Sequence, residues 1–274
     1  MCKLSIITIN YNNATGLQKT MQSVLSQTAI DFEYIVVDGA STDGSYELIC
    51  QYAKMPMRMP FAWVSEKDNG IYHAMNKGIQ LAKGEYVQFV NSGDCLVDNQ
   101  VVAKMLHAMP TCDIFIGQRI SVRLDGKKRI EKNNKEVSLF TFYKSGLQHP
   151  TAYIRRRLFD TYGLYDETLK IASDWKWFLI VAGLHQAKVS FAAIPVSYFD
   201  MSGISSTQLT LSDKERRNVL ENLLPPPLLA YFDANHLYLN QMERLKKYPF
   251  LYRLFWLLER IAFKFEQQNR NRWN

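Results

Sequence analysis

The sequence has 274 residues, of which 47% are hydrophobic and 22% are charged, and its formal net charge is +7. This length suits one α/β domain with a short appendage and excludes several independent domains, while the composition excludes a disordered chain. The positive charge indicates an anionic partner and leaves three classes open: nucleic acid, an anionic membrane surface and a phosphorylated small molecule.

The four cysteines show no C-x-x-C pairing, which favours a reduced chain in the cytoplasm. The apolar run at 4–9 is too short for a signal peptide, and no window reaches the roughly 18 apolar residues of a membrane span. The sequence therefore predicts a cytoplasmic protein without a signal peptide or a membrane-spanning helix.

The first part of the chain alternates strand and helix patterns, which is typical of βαβ units on a mostly parallel sheet. Apolar runs predict strands at 4–9, 33–38, 61–65 and 85–90, and helical periodicity predicts helices within TGLQKTMQSVLSQT and GIYHAMNKGIQLA. Beyond residue 98 we expect a helix, a strand at DIFIG, a hairpin turning at Asp125-Gly126, a helix over 174–184 and a further strand.

The end of the chain has a different character, and prolines 225–227 mark a break before it. Residues 241–274 hold eight Lys and Arg against three Glu, and apolar residues recur at helical spacing from Phe250 to Phe265. This pattern predicts an amphipathic helix on the inner face of an anionic membrane. The alternative is a helix that packs on the main domain or on a second subunit, as in a homo-oligomer.

Polar residues follow three of the predicted strands. Asn10 and Tyr11 come after the first strand, Asp38 ends the second, and Asn91-Ser92-Gly93-Asp94 follows the fourth. In a parallel α/β sheet, ligands bind at the carboxyl ends of the strands. No G-x-G-x-x-G or P-loop motif follows a strand, so neither a dinucleotide fold nor a P-loop is supported.

Four segments, in this order, resemble the GT-A glycosyltransferases of family 2, and more narrowly the bacterial branch that builds capsules, exopolysaccharides and lipopolysaccharides. The segments are SIITINYNNATGLQKTMQSVLSQT, YIVVDGASTDGS, SEKDNGIYHAMNKGIQLAKGEYVQFVNSGD and GLYDETLKIASDWKWFL. The resemblance implies a GT-A-like α/β domain over 1–205, with a mostly parallel sheet flanked by helices and a basic helical extension over 206–274. It also implies a metal-dependent, inverting transfer of a sugar from a nucleotide diphosphate to a hydroxyl of a saccharide or lipid-linked acceptor.

The resemblance assigns Thr8, Asn10, Tyr11 and Asp38 to the base and ribose of the nucleotide. A carboxylate at a strand end also accepts hydrogen bonds from a base N–H or from ribose hydroxyls, which suits Asp38. The alternative is that Asp38 only opens a turn with Gly39.

The segment NSGD takes the place of the family's acidic metal motif but retains one carboxylate, Asp94, with Asn91 as a further substrate-site candidate. One carboxylate, water and the substrate phosphates are enough to hold Mg²⁺ or Mn²⁺, which would neutralise the departing diphosphate. The alternative is a simple turn after a strand.

Asp68, Asn69 and Lys77 lie between these motifs and are candidates for contacts to the sugar and diphosphate. The helix start near Gly70 favours anions, whereas Lys77 suits a solvated helix face equally well.

Sugar transfer requires a base that takes the proton of the acceptor hydroxyl. By the resemblance this base is Asp174 in SDW, although the same position also suits an ordinary helix cap. His149, which precedes Pro150, is placed near the cleft by the resemblance, but a lone histidine is more often structural.

Two other classes of function remain as alternatives. A nucleotidyltransferase requires a basic, glycine-rich loop after the first strand, and NYNNATG lacks one. A non-catalytic sugar-nucleotide-binding protein would retain the nucleotide contacts without turnover. Nucleic-acid binding is disfavoured, because the basic excess clusters on the amphipathic tail rather than on the main domain.

Overall fold

The computed structural model describes residues 2–122, 125–133, 136–201 and 203–270. The chain divides into two compact units, Met1–Asn222 and Leu223–Asn274. Within the described residues, no helix combines the length and the apolar character needed to cross a bilayer.

The first unit begins with the alternation of strands and helices that the sequence predicts. Its elements are β1 (Leu4–Asn10), α1 (Ala14–Leu25), β2 (Phe32–Asp38), α2 (Ser45–Ala53), β3 (Phe61–Ser65), α3 (Ile71–Leu81) and β4 (Tyr86–Phe89). Helix α1 begins where the side chain of Asn13 accepts a hydrogen bond from the N–H of Gly16 at 3.1 Å. Its apolar face, with Leu17, Met21 and Val24, is buried against the sheet core.

The rest of the unit is less regular. It comprises β5 (Cys95–Leu96), α4 (Val101–Ala108), β6 (Ile114–Val122), β7 (Lys128–Glu131), α5 (Leu139–Lys144), β8 (Ala152–Arg155), α6 (Arg157–Tyr162), α7 (Ser173–Phe178), β9 (Val189–Asp200), α8 (Ile204–Thr207) and α9 (Leu209–Leu223). A π-helical segment, Leu179–Leu184, continues α7, so the helix expected over 174–184 is present with a widened second half. The predicted hairpin is confirmed, because β6 and β7 pair in antiparallel fashion.

One sheet joins these strands in the order β3-β2-β1-β4-β8-β6-β9-β5, with β7 paired to β6. The pairs β1–β2, β2–β3 and β1–β4 are parallel, whereas β8 is antiparallel to both β4 and β6. Because β2 and β4 flank β1 on opposite sides, the strand order reverses at β1. Such a reversal opens a crevice at the carboxyl ends of the strands, where ligands of α/β proteins bind.

Helix α9 belongs to the first unit, which therefore extends beyond the boundary at 205 that the sequence predicts. The physical reason is a set of hydrogen bonds from the segment before α7 to Glu215 on α9, the shortest of which is 2.8 Å long.

The second unit contains two long helices, α10 (Pro226–Leu245) and α11 (Pro249–Arg270). Helix α10 starts directly after Pro225, with proline in its first turn, where a missing N–H costs nothing. Helix α11 is the helix that the apolar spacing of the tail predicts.

Candidate active site

A cavity of about 1120 Å³ lies at the carboxyl ends of β1 and β4. Most of the predicted site residues line it, namely Asn10, Tyr11, Asp68, Asn91, Asp94, His149 and Asp174. Thr8, Asp38, Asn69 and Lys77 are not among its lining residues. The strand ends therefore converge as expected, but four of the predicted side chains point elsewhere.

Asp38 lies beneath the cavity and is fully buried. Its Oδ1 accepts hydrogen bonds from Asn10 Nδ2 at 2.8 Å and from Ser41 Oγ at 2.6 Å, and its Oδ2 accepts one from Ser65 Oγ at 2.7 Å. Burial alone would raise the pKa of Asp38, but these hydrogen bonds outweigh it and hold the pKa below its usual value. In this structure Asp38 orients Asn10 and Ser41, and direct contact of Asp38 with a nucleotide stays a prediction.

Asn10 retains one polar atom, Oδ1, that can contact a ligand. Its amide nitrogen is engaged by Asp38, while its Oδ1 is buried and has no hydrogen-bond partner among the described residues. An acceptor oriented in this way suits an N–H or O–H donor of a bound molecule.

Three other predicted residues do not line the cavity, namely Thr8, Asn69 and Lys77. Thr8 is fully buried, donates to the carbonyl of Val90 at 2.7 Å and accepts from the hydroxyl of Tyr34 at 2.9 Å. The Nζ of Lys77 lies 2.8 Å from the carboxylate of Glu66, so its charge is paired at the surface of α3. Asn69 is exposed.

Asp68 lies at the rim, against the turn that follows β2. Its Oδ1 accepts the N–H of Gly70 at 3.0 Å. A Cβ atom at Gly39 would lie 2.5 Å from Asp68 Oδ2, so only glycine at position 39 permits this approach.

The predicted metal motif forms a tight turn that orients Asp94 inward. Gly93 has φ +104°, a conformation that other residues rarely adopt, which explains why the turn carries glycine there. The Asp94 side chain is buried, and its Oδ1 accepts the N–H of Asp200 at 2.9 Å. The pKa of Asp94 is raised to about 7, chiefly by burial and also by the negative charge of Asp200, while the Asp200 N–H and the charge of Arg119 oppose the rise.

Arg119 on β6 lines the same end of the cavity. Its guanidinium stacks over the ring of Phe199 at 4.6 Å, and its Nε has no hydrogen-bond partner in the part of the chain that the structure describes. Burial lowers its pKa, whereas the charges of Glu131 and Asp94 raise it. Asn91 contributes a second polar atom without a partner here, its Oδ1.

Asp174 also lines the cavity, in the first turn of α7. Its Oδ1 accepts a hydrogen bond from the hydroxyl of Tyr72 at 2.9 Å. Burial raises the pKa of Tyr72, and the charge of Asp174 adds to the rise. The interpretation of Asp174 as a helix cap is wrong, because Ala172 occupies the cap position.

His149 is buried and forms part of the cavity wall. Its Nε2 lies 2.9 Å from the hydroxyl of Tyr165, and its ring stacks on Phe89 with 5.0 Å between the ring centroids. Burial lowers the pKa of His149, and the charge of Asp174 opposes this only in part. The lowered pKa favours the neutral form of the ring, and the aromatic neighbours hold the ring in place.

Comparison with known proteins identifies the fold and the family. The sequence model of glycosyl transferase family 2 matches residues 5–172, well over half of the chain. The chain belongs to this family. A PGL/p-HBAD biosynthesis glycosyltransferase of Mycobacterium bovis is 28% identical over 221 residues, which cover 77% of this chain and 81% of that protein.

Two further proteins are similar over different lengths. TuaG of Bacillus subtilis, whose name assigns it to teichuronic acid biosynthesis, is 37% identical over 91 residues, or 33% of this chain and 36% of that protein. A mannosyltransferase of Pyrobaculum calidifontis, solved with GDP-Man and Mn²⁺, gives a TM-score of 0.62 at 17% identity and covers 82% of this chain. This chain spans 66% of the mannosyltransferase chain and 60% of the chain of S. aureus TarS solved with UDP, which is less than two thirds in both cases. At that identity the likeness shows the GT-A fold, which confirms the predicted α/β fold class, although the sheet is mixed rather than mostly parallel.

Two cavity residues of this family 2 glycosyltransferase were missed by the sequence analysis, Arg119 and Asp200. Asp200 ends β9 and lines the cavity, so the rule that polar residues at strand ends face the ligand would have indicated it. Arg119 interrupts the apolar run of β6, which is a weaker signal. Arg119 lies between the third and fourth segments that carry the resemblance, and Asp200 lies beyond the fourth.

The donor atoms around Asp94 fit a divalent ion in part. The Asp94 carboxylate and the unpartnered Asn91 Oδ1 are oxygen donors, which hard ions such as Mg²⁺ and Mn²⁺ prefer. A buried carboxylate with a raised pKa is also a group that gains from a neighbouring cation. Among the described residues, however, no group of three or more His, Cys, Asp or Glu side chains could hold a metal ion. A bound ion would therefore depend on phosphate and water ligands to complete its shell.

Proposed function

We propose that this family 2 enzyme is an inverting glycosyltransferase. It moves a sugar from a nucleotide-diphosphate sugar to a hydroxyl of a saccharide or lipid-linked acceptor in cell-surface polysaccharide synthesis. The observation that carries this proposal is that Asp94 and Asp174 line one cavity at the point where the strand order reverses. Its volume of about 1120 Å³ exceeds that of a typical single-ligand pocket, as a donor and an acceptor bound together require.

The nucleotide would bind at the end of β1. Asn10 Oδ1 offers an acceptor to the base or ribose, Tyr11 offers an exposed ring, and Asp38 holds Asn10 in place from below. Support for a donor of this class comes from the mannosyltransferase of similar fold, which was solved with GDP-Man.

The diphosphate would lie between Asp94 and Arg119. The Arg119 guanidinium provides fixed positive charge with an unused N–H donor, which suits phosphate oxygens. Asp94 and Asn91 would hold Mg²⁺ or Mn²⁺, and this ion would neutralise charge on the leaving diphosphate. The Mn²⁺ in the mannosyltransferase is consistent with this role.

Asp174 is the proposed base. It accepts the proton of the acceptor hydroxyl while the hydroxyl oxygen bonds to the anomeric carbon. The bond between that carbon and the phosphate oxygen breaks, and its electron pair leaves with the nucleoside diphosphate. Tyr72 holds one carboxylate oxygen of Asp174, which orients the other toward the acceptor. A single displacement without a carboxylate nucleophile inverts the anomeric centre.

The experiment that tests this proposal is a screen of UDP-, GDP- and dTDP-sugars with Mn²⁺, in which release of free nucleotide is followed. The wild-type protein should release nucleotide from at least one donor, and Asp94→Ala should not. Asp98→Ala is the matched control, because Asp98 is exposed and paired with Lys104. A protein that binds and turns over none of the donors would contradict the proposal, and binding without turnover would indicate a sugar-nucleotide-binding protein instead.

We also infer that α11 places the enzyme on the inner face of an anionic membrane. One face of the helix presents an exposed apolar stripe, formed by Phe250, Leu251, Leu254, Leu257, Leu258 and Ile261. Eight Lys and Arg against three Glu between 241 and 274 add attraction to anionic lipid. A lipid-linked acceptor would be presented at such a surface. A second copy of this chain is the alternative occupant of the stripe.

A further inference from the structure

One carboxylate on α9 holds the segment that precedes α7. Oε1 of Glu215 accepts the main-chain N–H of Lys170 at 2.8 Å, and its Oε2 accepts the N–H groups of Ile171 and Ala172, each at 3.0 Å. Hydrogen bonds from several main-chain N–H groups to a carboxylate are charge-assisted and stronger than neutral ones. Three consecutive peptide groups are thus fixed by a single side chain.

The same segment is held from its other side by Tyr72. The Tyr72 hydroxyl is within hydrogen-bonding distance of both the carbonyl of Ile171 and Oδ1 of Asp174. Ala172 is the cap residue of α7, and its carbonyl accepts the first helical hydrogen bond, from the N–H of Lys176 at 2.9 Å. The orientation of these peptides therefore determines where α7 begins and where the Asp174 carboxylate points.

The neighbouring residue on α9 supports the same region. Arg216 donates from Nη1 to the carbonyl of Ser145 at 3.1 Å, and its guanidinium lies 5.4 Å from the centre of the Trp175 ring. Arg216 lines the cavity together with Lys170 and Ile171. Two adjacent residues of α9, Glu215 and Arg216, therefore contact the segments around the proposed base.

We propose that Glu215 is a positioning residue for sugar transfer, which acts by fixing the Lys170–Ala172 peptides and hence the location of the Asp174 carboxylate. This inference rests on the role of Asp174 proposed above. A displacement of about 1 Å at a reacting group can cost about 100-fold in rate, so loss of this support affects turnover more than donor binding.

Glu215→Gln is the diagnostic variant. Glutamine has nearly the same shape, but its Nε2 would place a donor against main-chain N–H donors, so at least one of the three hydrogen bonds is lost. Glu221→Gln is the matched control, because Glu221 lies on the same helix and forms an exposed ion pair with Arg217.

The expected result for Glu215→Gln is a fall in kcat of about 10- to 100-fold. The KM for the donor and the Kd for its free nucleoside diphosphate should remain within about twofold of the wild type, because Asn10 and Arg119 lie on other elements. Hydrogen exchange at the amides of residues 170–172 should accelerate. Glu221→Gln should match the wild type in all of these measurements.

A double-mutant cycle separates positioning from a general structural role. If Glu215 acts through Asp174, Glu215→Gln should cause no further loss of nucleotide release in an Asp174→Asn background. An unchanged kcat, a parallel loss of donor affinity, or a full additional loss in the Asp174→Asn background would each overturn the inference. A wild-type protein without any turnover would instead contradict the proposed function, so the two failures are distinguishable.

Discussion

The main-chain N–H of Asp200 donates a 2.9 Å hydrogen bond to Oδ1 of Asp94. This contact joins the end of β9 to the turn after β4, and it places two carboxylates from distant parts of the sequence at the same end of the cavity. Because the bond engages one oxygen of Asp94, the other oxygen is left to contact a ligand.

Replacement of Asp94 by asparagine tests this arrangement. Asparagine retains the size of the side chain but removes the negative charge, so Mn²⁺ can no longer stimulate the reaction. We expect nucleotide release to fall by about 100- to 1000-fold. EDTA should have the same effect on the wild type, and added Mn²⁺ should restore activity only there. Asp98→Asn serves as the control, and full activity of Asp94→Asn in EDTA would contradict a metal role.

Arg119 is expected to bind the diphosphate, and Arg119→Met tests this. Methionine retains much of the apolar packing against Phe199 but removes the charge, so the Kd for the nucleoside diphosphate should rise about tenfold or more. Isothermal titration calorimetry measures this directly. Arg129→Met, on the exposed face of the β6–β7 hairpin, should bind as the wild type does. Equal affinities of the two variants would argue against the assignment.

Asp174→Asn should separate binding from chemistry. The variant retains the shape of the side chain but cannot take up a proton, so we expect transfer to fall by about 100- to 10,000-fold with an unchanged Kd for nucleotide. Asp160→Asn, an exposed acid on α6, is the control. Transfer by Asp174→Asn at the wild-type rate would remove Asp174 from the role of base.

Asp166 gives a prediction about pH and stability. Burial opposes ionisation of its carboxyl, but the hydrogen bonds from Lys176, at 2.6 Å, and from Thr168 lower its pKa from 3.8 to about 2. A lowered carboxyl pKa stabilises the fold at pH values above the unfolded pKa, and this contribution is lost as the pH falls toward 2. After allowance for partial exposure, Asp166→Asn should cost about 1–2 kcal/mol of unfolding free energy at pH 7.

The measurement is thermal or urea unfolding of Asp166→Asn and the wild type at several pH values. The difference in stability should be constant from pH 7 to about 5 and should shrink as the pH falls through the interval between 3.8 and about 2. A difference that persists unchanged at the lowest pH would show that packing, and not ionisation, stabilises this site.

The apolar stripe of α11 is tested by Leu254→Glu/Leu258→Glu. This double change adds two negative charges within the stripe, and Arg260→Glu produces the same change in charge outside it. We expect the double variant to lose binding to phosphatidylserine-containing vesicles in a sedimentation assay, while Arg260→Glu loses only about 1–2 kcal/mol. Equal losses would indicate that charge alone drives binding, and a dimer that the double variant disrupts would indicate a second copy instead.

The sequence predicts well what depends on local pattern. Strands β1 and β4 are apolar runs followed at once by polar residues, so both the strands and the cavity-facing Asn10 and Asp94 can be predicted from neighbouring residues. The side-chain direction of Thr8 cannot be predicted in this way. Strand β1 is buried on both faces, so alternation of polar and apolar residues does not indicate which side faces the ligand.

The remaining differences arise from contacts between distant segments. Lys77 has a helical position that suits either a ligand or solvent, and its pairing with Glu66 is a contact that the local pattern does not predict. Arg119 and Asp200 share one end of the cavity because β6 pairs with β9, and these strands are far apart in the sequence. No local pattern encodes such a pairing, so the side of the site that they form becomes visible only in the folded chain.

Position 93 brings the turn after β4 close to the end of β9. A Cβ atom at Gly93 would lie 3.6 Å from Oδ2 of Asp200, so an acidic side chain at 93 would bring its charge against that of Asp200. Glycine at position 93 therefore keeps a second carboxylate away from Asp200. An acid introduced at position 93 would have to adopt φ +104° and face Asp200, so a chain with both carboxylates would require a more strongly bound cation at this end of the cavity.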